Sequence, residues 1–156
     1  GKPTVLGFCS GIVGGLVAIT PAAGFVDSGA AVLIGLAGGI APFFAVTKLK
    51  LWLGYDDSLD TFGVHGVAGT VGMLLTGIFA KASINPNIAG LLSSGRSLWL
   101  EQLKAMVVVA VVGFVFTTAI TWAVGKIVDL RPSEEEEHEG LDLVDHGEAG
   151  YRFDEN

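Results

Sequence analysis

Cysteine is almost missing from this 156-residue chain: Cys9 stands alone, so neither an intrachain disulfide nor a thiolate zinc cluster is possible. A lone cysteine in an apolar run reads as a small buried side chain. Charge is missing over long stretches. Pro3 to Val26, Ser28 to Thr47, Thr61 to Ala80 and Ala105 to Gly125 contain no Asp, Glu, Lys or Arg. Each run is about long enough to cross the hydrocarbon core of a bilayer, which excludes a soluble domain of ordinary composition. Basic residues are few, 9 against 16 acidic, and form no clustered face of the kind that nucleic acid requires.

What charge there is divides sharply. Residues 1–130 carry 7 basic and 6 acidic side chains, whereas residues 131–156 carry 2 basic and 10 acidic. The acidity therefore belongs to a tail. The expected organisation is a transmembrane region over 1–130, with helices at about 3–26, 28–50, 61–80 and 102–127, followed by an acidic tail over 131–156. Four spans put both ends on one side of the membrane. If that side is the cytoplasm, it holds Lys2, Lys48, Lys50, Lys126 and Arg131 against Lys81, Arg96 and Lys104 outside, in the sense of the positive-inside rule. The chain opens on Gly1 rather than Met, and the expectation is a fragment of a longer protein.

Glycine is abundant and patterned. Gly7, Gly11 and Gly15 mark the first span, Gly35 and Gly39 the second, and Gly63, Gly66, Gly69 and Gly72 the third. Small residues at such spacing let helix backbones approach closely in lipid. The fourth span, rich in valine and phenylalanine, has few such notches and reads as peripheral. Near the end of the first span, Pro21 removes a backbone donor and Thr20 can satisfy the carbonyl left over. The tail opens on Ser133-Glu134-Glu135-Glu136, a capping box, and Gly140 is placed to end a short helix. Beyond it, apolar residues mix with charges, and a docking segment and a solvated tail both remain open.

Within the spans only His65 titrates near neutrality, and ionisable groups at membrane depth are functional candidates. A structural histidine bonded to a neighbouring helix is the competing reading. Gly63 and Gly66 leave room beside the ring, and Phe62, Val64 and Val67 make the surroundings apolar. An uncharged imidazole there offers one donor and one acceptor. That suits a small hydrogen-bonding solute that gives up a proton, whereas a metal ion needs more ligands than one histidine. No metal and no cofactor is expected, and the absence of a nucleophile beside His65 makes an enzyme a poor reading. Asp56, Asp57 and Asp60 can form an anionic mouth at the start of the third span, although Asp60 also fits the role of helix N-cap.

Four segments in order, Ile19-Thr20-Pro21-Ala22-Ala23-Gly24, Asp60 through Gly69, Thr76-Gly77-Ile78-Phe79-Ala80, and Glu139-Gly140-Leu141-Asp142 through His146-Gly147-Glu148, resemble the C-terminal part of bacterial Amt/Rh-family ammonium transporters. The resemblance implies an all-α polytopic membrane protein with a partial ammonium-transporter fold, comprising the last four helices and a cytoplasmic tail, in the bacterial inner membrane. It implies ammonium or ammonia transport through a hydrophobic pore, in a complete protein that is a homotrimer. His65 matches the second of the family's twin pore histidines. Val13, Thr20 and Thr61 match positions near the pore wall, and Asp60 matches an acidic residue at the cytoplasmic end. In the tail, Gly140, Leu141, Asp142, His146, Gly147, Glu148 and Tyr151 match a regulatory segment near the surface bound by P-II signalling proteins. The first pore histidine and the outer cation site lie on helices this chain lacks. The alternative reading is a non-transporting membrane sensor or docking subunit that presents its acidic tail to a soluble partner.

Overall fold

The structure, a computed structural model, describes residues 3–89, Leu92 and residues 97–148, and among these residues it is helical with no strand. Helix α1 covers Val5–Ile19, with Thr4 capping it by accepting a hydrogen bond from the Gly7 N–H at 3.1 Å. A single 3-10 turn, Thr20–Ala22, extends it. Helix α2, Ser28–Phe44, passes into a π-helical turn at Ala45–Leu49 and then α3, Lys50–Leu53. Gly54, at φ 65°, closes α3 in the left-handed conformation that costs glycine least. A second π-helical turn, Phe62–Val67, opens α4, Ala68–Phe79. Helix α5 covers Leu98–Val124, and the tail contributes α6, Glu134–Glu139, and α7, Leu141–His146.

Four helical stretches are long and apolar enough to cross a membrane: Val5–Ala22, Ser28–Leu53, Phe62–Phe79 and Leu98–Val124. The fourth starts before the expected residue 102 and the second runs past the expected residue 50, because neither one glutamate nor paired lysines at a helix end interrupt backbone hydrogen bonding. The residues cluster into two compact units, Gly1–Ala110 and Val111–Asn156.

In the first unit, α1, α2 and α4 pack on one another around Ala18, Ala22, Ile34 and Ala68, with Val17, Leu75 and Phe79 against them. Small side chains set the approach. A Cβ on Gly72 would stand 2.0 Å from the Ala18 carbonyl oxygen, one on Gly38 would stand 2.4 Å from the Ala18 Cβ, and one on Gly14 would stand 2.5 Å from the Gly38 oxygen. Gly72 was among the expected notches, but Gly14 and Gly38 were not. Of the expected ones, Gly15 and Gly39 face the other helix, a Cβ standing 3.3 Å from the Gly35 oxygen and 3.8 Å from the Gly11 oxygen, whereas a Cβ on Gly11 or Gly35 would meet nothing within 4 Å and one on Gly7 would meet only Thr4. Spacing alone marks where a helix is thin, not which thin face another helix meets.

Thr76, the one buried polar residue among the described residues, donates its hydroxyl to the Gly72 carbonyl at 2.7 Å. Cys9 is free and exposed rather than buried. Gly77 of α4 lies against Trp99 of α5, and every residue of α5 from Val107 to Val124 is exposed.

In the second unit, the capping box forms. Ser133 Oγ accepts from the Glu136 N–H at 3.3 Å, and the Glu136 carboxylate accepts from the Ser133 N–H at 2.7 Å. That backbone N–H, and then the Ser133 hydroxyl, hold the Glu136 carboxyl below the usual range. Gly140, at φ 104°, separates α6 from α7, and Gly147 ends α7. The second tail helix was not expected from its mixed pattern.

Candidate functional site

His65 sits in the π-helical turn Phe62–Val67, exposed on the first unit; its carbonyl accepts from the Ala68 N–H, and its imidazole has no hydrogen-bond partner among the described residues. Such turns carry one residue more than an α-turn accommodates and recur at functional positions. The space expected beside the ring is occupied. A Cβ on Gly63 would meet Val46 Cγ2 at 2.6 Å, and one on Gly66 would meet the Phe62 ring at 2.9 Å. These glycines admit Val46 and Phe62, rather than keeping a lumen open. Val46 belongs to the π-turn at Ala45–Leu49, so the two widened turns pack on each other. The Phe62 ring in turn stands edge-on to Tyr55, with centroids 5.5 Å apart.

The other expected wall residues can be placed along the bundle axis. Gly69 faces Val17 and Gly72 faces Ala18, so α1 and the third span run in the same direction. One turn back from those contacts, His65 lies at the level of Val13. Thr20 is seven residues beyond Val13, about 10 Å further along at 1.5 Å per residue, and Thr61 lies about one turn the other way. Val13, Thr20, Thr61 and His65 are all exposed. They are strung along the axis rather than gathered into one cluster. The Thr20 N–H takes the Val17 carbonyl that Pro21 cannot serve, and Thr20 Oγ1 donates to the Leu16 carbonyl so left over, at 2.7 Å.

At the start of the third span the division of labour among the aspartates differs from expectation. Asp57, not Asp60, caps the helix: its Oδ1 accepts from Thr61 N–H at 2.8 Å, and its Oδ2 accepts from Phe62 N–H at 2.9 Å and Gly63 N–H at 3.4 Å. Asp60 adopts φ 55°, a left-handed conformation that aspartate tolerates. Its carboxylate is paired with Lys50 Nζ at 2.7 Å, and Lys50 also donates to the Asp57 carbonyl at 2.5 Å. The expected anionic mouth is thus partly neutralised by a lysine from α3. Lys50 lies ten residues from Asp60, beyond the reach of local pattern reading. Beside Asp60 a cavity of about 510 Å³ opens between α1 and α2, lined by Thr4, Ser10, Gly11, Thr47 and Val64 among others.

At the opposite end, Asp27 accepts from the Ala30 N–H at 2.9 Å and caps α2, while Lys81 pairs with its carboxylate. The Lys81 N–H also donates to the Phe25 carbonyl at 2.9 Å. Lys81 first, and the Ala30 N–H second, hold the Asp27 carboxyl below its ordinary value. No group of three or more His, Cys, Asp or Glu that could hold a metal occurs among the described residues. Of the tail residues singled out, Leu141, Asp142 and His146 lie on α7, Gly140 and Gly147 flank it, and Glu148 follows. Tyr151 lies outside the described residues.

Comparison with known proteins gives this geometry a context. The model of the Ammonium Transporter Family matches residues 1–151. A putative ammonium transporter of Methanothermobacter thermautotrophicus is 48% identical over 155 residues, covering 98% of this chain and 38% of that protein. An ammonium transporter of Bacillus subtilis is 48% identical over 152 residues, covering 97% of this chain and again 38% of the relative. Among solved structures, a Mep2 double mutant from Candida albicans superposes with a TM-score of 0.71 at 29% identity, covering 97% of this chain and 37% of that one. The chain therefore spans somewhat more than a third of the length of these relatives. The relatives are named transporters, not enzymes, which gives the docking-subunit alternative no support. With a family model matched over nearly all its length and four apolar helices in place, this membrane protein belongs to the Ammonium Transporter Family.

Proposed function

We propose that the chain forms the last four helices and the cytoplasmic tail of an ammonium transporter, and that His65 lines its pore. Placement in the last four helices rests on the ordered motifs from Ile19 to Glu148 and on an acidic tail following four apolar helices. The observation that carries the pore assignment is His65 itself: an imidazole without a hydrogen-bond partner, in a π-turn of a helix long and apolar enough to cross a membrane. Stripping water from ammonium is expensive unless replacement hydrogen bonds exist or its proton is left behind. An uncharged imidazole serves the second route, since its acceptor nitrogen can receive that proton. Val13 lines the path beside it, Thr20 and Thr61 line it on either side, and Asp60 stands near its cytoplasmic end. The complete protein is a homotrimer, and α7, with Leu141 and Val144 exposed on it, is the element that meets a neighbouring subunit or a P-II protein.

The test is His65→Ala in the complete protein, reconstituted in liposomes. Proton-coupled ammonium transport should change in rate or selectivity, by roughly tenfold or more, the scale at which a proton-transfer group acts. Currents and selectivity equal to those of the parent protein would remove His65 from the pore.

A further inference from the structure

We infer that Asp57 is the positioning residue that holds the His65 ring in register, acting through the backbone of the turn that carries it. The inference rests on the reading of His65 as a pore residue, but its observations are independent of that reading. The first N–H groups of a helix have no partner within it. Here three successive ones, on Thr61, Phe62 and Gly63, converge on the two oxygens of a single carboxylate, the last of them two residues before His65. An ordinary N-cap satisfies one such group. Bonds to an ionised acceptor are also stronger than neutral ones.

The consequence is rotational. One hydrogen bond lets a helix end swivel, whereas three successive donors on one acceptor fix where around the axis the first turn begins. That matters because the turn is π-helical and relaxing it to α geometry re-aims every side chain within it. Two contacts reinforce the setting. Lys50 donates to the Asp57 carbonyl and so holds the acceptor itself in place, and Val46 fills the notch at Gly63 against which the turn rests. The Asp57 carboxylate bonds to backbone N–H groups and not to the imidazole; its influence passes through Gly63 and Val64.

The experiment compares the parent protein with Asp57→Asn, Asp57→Leu and His65→Ala in the complete transporter in bilayers. It reads ammonium uptake, ammonium-to-methylammonium selectivity and the ring nitrogen resonances of His65 by solid-state NMR. Asparagine keeps the shape and one acceptor oxygen; leucine keeps neither acceptor. The expected result is a shift of the His65 ring resonances in Asp57→Asn at unchanged yield of folded protein, with uptake lowered by about tenfold or more and selectivity altered, since small misplacements at a reacting group are costly. Asp57→Leu should lose more, and if it does not fold, the asparagine variant decides. Unmoved ring resonances with parental selectivity would overturn the inference, whether uptake is parental or falls only in proportion to folded protein. If His65→Ala transports like the parent, the pore reading fails, and the resonances still decide whether Asp57 sets the ring.

Discussion

The two ends of the α1, α2 and α4 bundle are each tied by a lysine–aspartate pair, yet they are built for different purposes. At one end Lys81 meets Asp27, with side chains 53% and 42% exposed, and the aspartate caps α2 with one backbone bond. At the other, Lys50 meets Asp60 at 27% and 33% exposure, and the neighbouring Asp57 gathers three backbone N–H groups beneath His65. The first is a solvent-screened latch between a loop and a helix end. The second is a closed network in which charge, carbonyl and carboxylate are all engaged. Polar bonding is concentrated at the end that carries the candidate pore residue.

The strongest way to break that comparison is to remove what both ends share. Gly72→Leu should force α4 off α1, because its Cβ would overlap the Ala18 carbonyl. We expect a loss of about 3 kcal/mol or more, read as aggregation or early melting in detergent, since no flexible neighbour can give way. Both ends should loosen together.

A sharper contrast comes from Lys50→Met against Lys81→Met. Each removes one cation from a pair, but Lys50→Met also takes one of two donors from the Asp57 carbonyl, leaving it only the Asp60 N–H at 3.0 Å. Lys50→Met should lower the thermal midpoint by several degrees, about twice the effect of Lys81→Met or more. Equal effects at the two positions would erase the distinction.

The smallest effect concerns acid. The Asp27 carboxyl is held below its ordinary value of 3.8, so the folded chain binds its proton less readily than the unfolded one. Its stabilisation is therefore complete above that value and fades as pH falls through the folded value. The gap in melting temperature between the parent protein and Lys81→Met should be roughly 1–3 °C near neutrality and should close in acid, once pH has fallen below 3.8 and on through the folded value. A gap that persists there would mean that Lys81 acts through its backbone bond to Phe25 or its aliphatic stem, not its charge.

Much of this architecture is legible in the sequence because a bilayer imposes long charge-free runs, and four such runs become four helices. The capping box at Ser133 and the Thr20 compensation are legible for another reason: each closes within four residues. What escaped reading closes over longer distances. Lys50 finds Asp60 only because a loop folds back, and no period in the sequence reports it. The π-turns at Ala45–Leu49 and Phe62–Val67 leave hydropathy unchanged while shifting which residues face a neighbour. Gly63 and Gly66 looked like space beside His65, yet space in a packed bundle is filled by whichever side chain is nearest, here Val46 and Phe62. His65 stood out because it is an ionisable side chain in an apolar span; its support at Asp57 did not, since three aspartates within five residues look alike until their partners are seen.

The close approaches at Gly14, Gly38 and Gly72 also bear on how the gene can drift. Glycine codons share the bases GG at their first two positions, and every single-base change at either position specifies a residue with a Cβ or a stop. At these three glycines a Cβ meets a neighbouring backbone oxygen or Ala18 at 2.5 Å or less, so each amino acid one base away is excluded by the same atoms. Gly11, Gly35 and Gly113, with nothing within 4 Å, face no such barrier from this chain. Silent third-base changes are then the only substitutions freely open to the codons at the helix crossings.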